Sequence, residues 1–94
     1  TGRGEEMIRS CGSFLGVEIM RNGRSPQEAC EDVCKRIIDI NGGPSKVDFN
    51  DKIVALSKSG EVGCAAIRGK KGQEPEVATW SKKGLKVTKG TYLI

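Results

Sequence analysis

The chain begins with Thr-Gly-Arg-Gly-Glu, which places a hydroxyl group, two glycines and an acid directly before an apolar helical pattern. Glycine lets a backbone turn sharply and bring peptide N–H groups close to a ligand. A helix that begins here adds unpaired N–H groups, and such donors bind carboxylates or stabilise an oxyanion. Three interpretations fit these residues alone. In the first, Thr1 is an N-terminal nucleophile. In the second, Thr1, Gly2 and Gly4 form a loop that cradles a substrate. In the third, the segment starts a helix and binds nothing.

The other reactive side chains narrow the chemistry. The chain has no histidine, which excludes a Ser-His or Cys-His catalytic pair and a histidine-ligated metal within it. The four cysteines form no Cys-x-x-Cys pair, so we predict no zinc site, no thioredoxin-like site and no cofactor. We expect free cysteines that pack as small apolar side chains, with a disulfide framework as the alternative. The cysteines are Cys11, Cys30, Cys34 and Cys64.

Length and charge limit the size of the fold and the kinds of partner. A chain of 94 residues with 36% hydrophobic content forms at most one small domain with a thin core, which leaves room for a missing partner. No apolar run approaches the roughly 20 residues that cross a bilayer. Residues 1–67 carry a net charge of −1 and residues 68–94 a net charge of +5. Because the lysines of this tail lack interleaved aromatic residues, we expect a solvated surface that binds neither nucleic acid nor membrane.

The first predicted helix runs from Glu5 to about Asn22, because an apolar residue recurs there every three or four positions. Gly12 and Gly16 weaken such a helix by about 1 kcal/mol each. We therefore expect these glycines to let another element approach closely. The stripe predicted to be buried consists of Ile8, Cys11, Leu15 and Ile19, flanked by Met7 and Phe14.

The second predicted helix has a clear beginning and end. Ser25 is a capping serine, Pro26 occupies the first helical position, and Glu28 at the third completes a capping box. The sequence Asn-Gly-Gly-Pro at 41–44 ends the helix. We expect its buried face to carry Ala29, Val33, Ile37 and Ile40, with Cys30 and Cys34 beside them.

Strands follow the helices. The predicted strands are the segments 52–58, 62–67, 77–80 and 91–94, with turns at 59–60 and near Gly84. The unbroken apolar centre of the first strand indicates that it is buried on both faces. The sequence thus predicts an α+β fold in one partial domain over 1–94, with a helical pair in 1–41 and antiparallel strands in 52–94. A sheet that helices cover on one face only is half of a layered sandwich.

Two stretches of the chain resemble a known family. They are TGRGEEMIRSCGSFLGVEIMRNGRSPQEACEDVCKRI and the strand pair IVALSKSGEVGCAAI. Both are similar to the C-terminal part of the β-subunit of glycosylasparaginases (aspartylglucosaminidases), N-terminal nucleophile hydrolases that also include the plant-type asparaginases. The resemblance covers roughly residues 1–68, and its most specific pieces are Thr-Gly-x-Gly-Glu and Gly-Arg-Ser-Pro-Gln-Glu-Ala-Cys. It implies a four-layer αββα sandwich.

The resemblance also implies a mechanism. These enzymes cleave themselves and expose a threonine, whose hydroxyl attacks the side-chain amide of an asparagine while its own α-amine, with an ordinary pKa of about 8, acts as base. The threonine hydroxyl of the Thr-Gly-x-Gly motif and the next N–H form the oxyanion hole. By this resemblance Thr1 and Gly2 polarise the scissile carbonyl and Gly4 contacts the substrate. The nucleophile, and the arginine and aspartate that bind the substrate's α-carboxylate and α-amine, then lie outside this chain.

The implied activity is the hydrolysis of asparagine-linked N-acetylglucosamine in glycoprotein degradation. The implied partners are the α-subunit and the N-terminal β-subunit segments of the same enzyme, in a homodimer of αβ units. The family suggests a lysosomal or periplasmic location. A cytoplasmic location is the alternative, because the disulfide pattern of the lysosomal members is not preserved. Cys30 matches one half-cystine position, but the position of its partner falls near Ala55. An L-asparaginase or isoaspartyl peptidase is the alternative within the family, and a non-catalytic basic binding module is the alternative outside it.

Overall fold

A computed structural model describes all 94 residues of the chain. Its N-terminal helical segment consists of two helices instead of the single predicted helix. Helix α1 spans Gly4–Arg9 and helix α2 spans Gly12–Arg21. Between them Cys11 adopts a left-handed conformation with φ of 53°, the only positive φ outside glycine in the chain. The turn places Gly12 directly against the Met7 side chain, where a Cβ atom would overlap the sulfur. The single-helix prediction is wrong because the left-handed backbone at Cys11 interrupts the helix between Arg9 and Gly12.

The buried face of the N-terminal helical segment also differs from the predicted stripe. Ile8 is 80% exposed and Cys11 is exposed, whereas Gly12 and Gly16 are buried. A Cβ atom at Gly12 would lie 3.2 Å from Val33 Cγ1, and one at Gly16 would lie 3.7 Å from Val33 Cγ2. The predicted close approach at the two glycines is therefore confirmed, and it decides which face of α2 is buried.

Helix α3 is the central element of the fold and spans Pro26–Ile40. Its predicted capping box is present: the Ser25 hydroxyl accepts from the Glu28 N–H at 3.1 Å, and the Ser25 N–H donates to the Glu28 carboxylate at 3.2 Å. A short 3₁₀ helix, Pro44–Lys46, follows. None of the helices combines the length and the apolar character that crossing a bilayer requires.

Five strands form two sheets. β1 and β2 pair antiparallel, β5 pairs parallel with β2 on its other side, and β3 and β4 form a separate antiparallel hairpin. Strand β4 was not predicted, and the last strand is parallel rather than antiparallel. A parallel pair needs a crossover instead of a tight turn, and the hairpin supplies it. The strands are β1 Lys52–Leu56, β2 Val62–Ala66, β3 Glu76–Ser81, β4 Gly84–Lys89 and β5 Thr91–Tyr92.

The core lies between α3 and one face of the first sheet. On that face a Cβ atom at Gly63 would overlap the backbone of Gln27, which shows how closely the helix approaches β2. The opposite face is open at β1, where Val54 is 62% exposed and Leu56 is 66% exposed, whereas Cys64 and Ala66 of β2 are buried on that face. The prediction that β1 is buried on both faces is thus wrong for this chain, while the α+β class is confirmed. The core consists of Cys30, Val33, Cys34, Ile37, Ile38, Val47, Phe49, Ala65 and Ile67.

All four cysteines are free, and three of them are buried as predicted. Cys30 and Cys34 lie on the inner face of α3. Burial raises the pKa of each of these two thiols to about 12. Neither is therefore a nucleophile near neutral pH, since the thiolate is the reactive form.

Candidate functional site

The first three residues form an extended segment along the beginning of β1. The Thr1 amino group donates to the Lys52 carbonyl oxygen at 2.7 Å, and the Lys52 N–H donates to the Thr1 carbonyl oxygen at 2.8 Å. The Arg3 N–H donates to the Asn50 carbonyl oxygen at 3.3 Å. This antiparallel pairing adds an edge to the sheet next to β1. It fixes the position of Thr1 and Gly2 by backbone hydrogen bonds.

Gly2 occupies a position on this edge that only glycine fits. It lies opposite Asp51 with a φ of +119°, a region that side chains disfavour. A Cβ atom there would overlap the Asn50 carbonyl oxygen and lie 2.6 Å from Asp51 Oδ1. In an antiparallel pairing, residue pairs joined by two hydrogen bonds alternate with pairs joined by none. Because Thr1 and Lys52 are joined by two hydrogen bonds, the next pair, Gly2 and Asp51, is joined by none. The Gly2 N–H therefore points away from β1, and it donates no hydrogen bond.

The Thr1 side chain is the second free donor of this edge. Its residue is exposed, and its hydroxyl makes no hydrogen bond, unlike the Thr79 and Thr91 hydroxyls. A cleft of about 340 Å³ opens beside it. The cleft is lined by Thr1, Met7, Ser13, Lys52, Ile53 and Val54. A hydroxyl group and an N–H group of adjacent residues thus stand unpaired on one edge of the sheet.

Gly4 begins helix α1 and is exposed, with no atom within 4 Å of the position a Cβ would take. A ligand can reach its backbone freely. The helix has only six residues, and Arg3 at its N-cap makes no capping side-chain hydrogen bond, which leaves its first N–H groups without a side-chain cap. The Thr1 hydroxyl and the Gly2 N–H of the strand edge add to these donors.

Asp51 is a residue of this region that the sequence analysis missed. Its side chain is fully buried on the helix-facing side of the sheet, and neither carboxyl oxygen has a hydrogen-bond partner. Burial raises its pKa, while the nearby Arg3 N–H partly offsets the rise. The sequence does carry a signal for this position. Alternate residues of a strand face the same side, and Asp51 is in step with Ile53 and Ala55, which face inward.

Comparison with known proteins gives this site a context. No protein-family model matches the chain. It is 43% identical over 70 residues to the N(4)-(beta-N-acetylglucosaminyl)-L-asparaginase of Elizabethkingia miricola, an alignment that covers 72% of this chain and 21% of that protein. This chain belongs to the glycosylasparaginase family. A Drosophila grimshawi protein named as a candidate for the same enzyme is 42% identical over 65 residues, covering 69% of this chain and 15% of its own length.

The family also contains relatives with a second name. An L-asparaginase-like protein of Drosophila melanogaster is 33% identical over 60 residues, which cover 64% of this chain and 14% of that protein. The chain thus spans about a fifth or less of the length of the curated relatives it matches.

Proposed function

We propose that the full-length protein containing this chain hydrolyses the amide bond between an asparagine side chain and N-acetylglucosamine. The observation that supports it most directly is the edge formed by Thr1 and Gly2. Its hydroxyl and N–H donors are unpaired and lie on adjacent residues, and Thr1 lines a cleft of about 340 Å³. The name of the Elizabethkingia miricola relative supports the substrate class.

In this proposal a threonine outside the chain is the nucleophile. Its hydroxyl attacks the side-chain carbonyl, with its own α-amine as base, so no histidine is needed. The attack places negative charge on the former amide oxygen. The Thr1 hydroxyl and the Gly2 N–H donate to that oxygen, and each such donor is typically worth about 10²–10³ in kcat. Gly4, which no neighbouring atom crowds, leaves room for the bound aspartyl group.

The open face of the sheet supports a proposal about architecture. Val54 and Leu56 on β1 expose most of their apolar surface in the chain alone, and large exposed apolar patches mark sites where another surface binds. We propose that a second sheet, from other segments of the full-length protein, covers this face and completes a four-layer αββα sandwich. The same proposal includes the α-subunit, the N-terminal β-subunit segments and a homodimer of αβ units.

An L-asparaginase or isoaspartyl peptidase activity is the alternative that a specific observation supports. The Drosophila melanogaster relative named L-asparaginase-like shares the family. Both activities use the same attack on an aspartyl carbonyl and differ in the leaving group. The leaving group contacts other parts of the full-length protein in this proposal.

Aspartate release by the full-length protein tests the function. The protein is given N4-(β-N-acetylglucosaminyl)-asparagine, free asparagine or an isoaspartyl dipeptide in separate assays. We expect the highest kcat/KM for the glycosylated substrate. A higher kcat/KM for either of the other two would assign the alternative activity. No release from any of them, from protein shown on a gel to have cleaved itself, would contradict the proposal.

A further inference from the structure

Asp51 is an unusual carboxyl group because it is buried behind the candidate site and neither of its oxygens has a hydrogen-bond partner. Glu6, the other buried acid nearby, accepts from Asn41 Nδ2 at 2.9 Å and lies 3.3 Å from Arg9 Nη2. Asp51 has no equivalent: both of its oxygens are shielded from solvent and unpaired. An ionised carboxylate without donors is costly to bury, so such a group normally stays protonated.

The surroundings of Asp51 contain little to stabilise its negative charge. Glu5 and Glu6 of α1 face it and raise its pKa further, beyond the effect of burial. Cys34 of α3 faces it as a neutral thiol, since its own pKa is about 12. The positive charge that faces Asp51 is the Thr1 ammonium group, which lowers the pKa. When Thr1 is joined to a preceding residue, that charge disappears and the two glutamates remain.

Asp51 is also in contact with the edge that carries the candidate donors. The space between its Oδ1 atom and the Gly2 Cα is too small for a methyl group. The Arg3 N–H, the nearest backbone donor, is already used by the Asn50 carbonyl oxygen. A change in the charge or hydration of this carboxyl therefore acts directly on the backbone at Gly2.

We propose that Asp51 is a positioning residue for the Thr1–Gly2 edge, which it supports in its protonated form and disturbs when it loses its proton to solvent. This rests on the proposed function, in which the edge stabilises an oxyanion. Protonated Asp51 fills the space behind Gly2 without charge. Ionised Asp51 repels the negative charge that develops on the substrate oxygen and draws water toward the edge strand. The result is an edge whose stabilisation of the oxyanion weakens as pH rises through the pKa of Asp51.

The first arm of the test does not depend on the reaction. Thermal unfolding of the full-length protein is followed from pH 4 to pH 9 for the wild type, Asp51→Asn and the exposed control Asp48→Asn. Because the folded-state pKa of Asp51 is raised, its contribution to stability is present at low pH and lost as pH rises through that pKa. We expect Asp51→Asn to match the wild type at pH 4 and to exceed it at pH 8 by a few degrees, about 2–4 °C per kcal/mol. Asp48→Asn should show no such divergence.

The second arm of the test measures the effect of Asp51 on catalysis as a function of pH. The ratio of kcat for Asp51→Asn to kcat for the wild type should be near one at low pH and rise to about tenfold at pH 8, because repulsion between two like charges raises the barrier. KM should change much less, because the repulsion develops in the transition state. A pH-independent ratio, or an equal loss of kcat at every pH, would overturn the positioning role.

The outcomes separate the two proposals. If no form of the full-length protein hydrolyses the substrate, the proposed function fails, while the unfolding arm still decides whether Asp51 is held protonated. If Asp51→Asn does not fold, a ¹³C-carboxyl titration of the wild-type protein replaces it. We expect Asp51 to titrate above the ordinary range of an aspartate carboxyl, and titration within that range would overturn the proposal.

Discussion

Thr1 and Gly2 carry two kinds of donor on adjacent residues, and the local backbone explains why neither is used within the chain. The pairing with Lys52 takes the Thr1 carbonyl and amino groups, which leaves the Thr1 hydroxyl and the Gly2 N–H free. The sequence predicted both residues as candidates through the Thr-Gly-x-Gly-Glu motif. The spacing of Asp51 to Ile53 and Ala55 indicates an inward-facing position, but whether an acid there is fully buried depends on how α1 and α3 pack around it.

Replacement of Gly2 by alanine should destabilise the chain. The φ of +119° strains any side chain, and the new Cβ would overlap Asn50 and approach Asp51. A conformation of this kind typically costs about 1–3 kcal/mol, and the free energy of unfolding in urea should fall by at least that amount. Gly4→Ala is the matched control, since no atom crowds Gly4, and it should be neutral or slightly stabilising. Equal effects of the two substitutions would contradict the assignment of Gly2 to a crowded edge.

At the scale of helices and strands, the sequence predicted an element well where residues close in sequence determine it. The Ser25 capping box and the Asn-Gly-Gly-Pro stop predicted α3, and two apolar runs predicted β1 and β2. Tertiary contacts decided the rest. The turn at Cys11 depends on the contact between Met7 and Gly12, and β4 depends on cross-strand pairs such as Trp80 with Leu85. The contact between Met7 and Gly12 leaves no periodic pattern in the sequence, and the alternation of Leu85 and Val87 with polar residues covers only a few positions.

The cap of α3 should be worth a measurable part of the stability. Ser25→Ala removes the hydroxyl that accepts from the Glu28 N–H, and losses of this kind typically cost about 1 kcal/mol. Urea unfolding should show this decrease with an unchanged slope. Ser13→Ala provides the control, because Ser13 is exposed in the first turn of α2 and its hydroxyl makes no hydrogen bond. If Ser25→Ala is as stable as the control, the helix does not depend on its capping box.

The whole chain has an open sheet face and candidate donors but carries no nucleophile in our proposal. The sequence predicted a helix-covered half of a sandwich from its element order, and the exposed Val54 and Leu56 agree with an uncovered face. It could not show what covers that face, since the covering surface belongs to residues outside the chain in this proposal. Thin cores of this kind commonly need a partner to be complete.

The 94-residue chain alone should therefore be catalytically silent. Purified chain is assayed for aspartate release from asparagine-linked N-acetylglucosamine, and we expect no turnover above a blank. The same assay on the full-length protein is the positive control. Turnover by the chain that disappears in a Thr1→Ala variant would identify Thr1 as the nucleophile and overturn its assignment as a donor.

The central claim is that Thr1 donates to the oxyanion, and steady-state kinetics of Thr1→Val in the full-length protein test it most directly. Valine keeps the shape of threonine and deletes the hydroxyl, while self-cleavage is verified on a gel. Thr79→Val is the control, because it removes a hydroxyl that donates to the Lys86 carbonyl within the distant hairpin. We predict a fall in kcat of about 10²–10³ with a much smaller change in KM for Thr1→Val alone. A kcat within a few-fold of the wild type would contradict the oxyanion assignment, and a complete loss of acylation would identify Thr1 as the nucleophile instead.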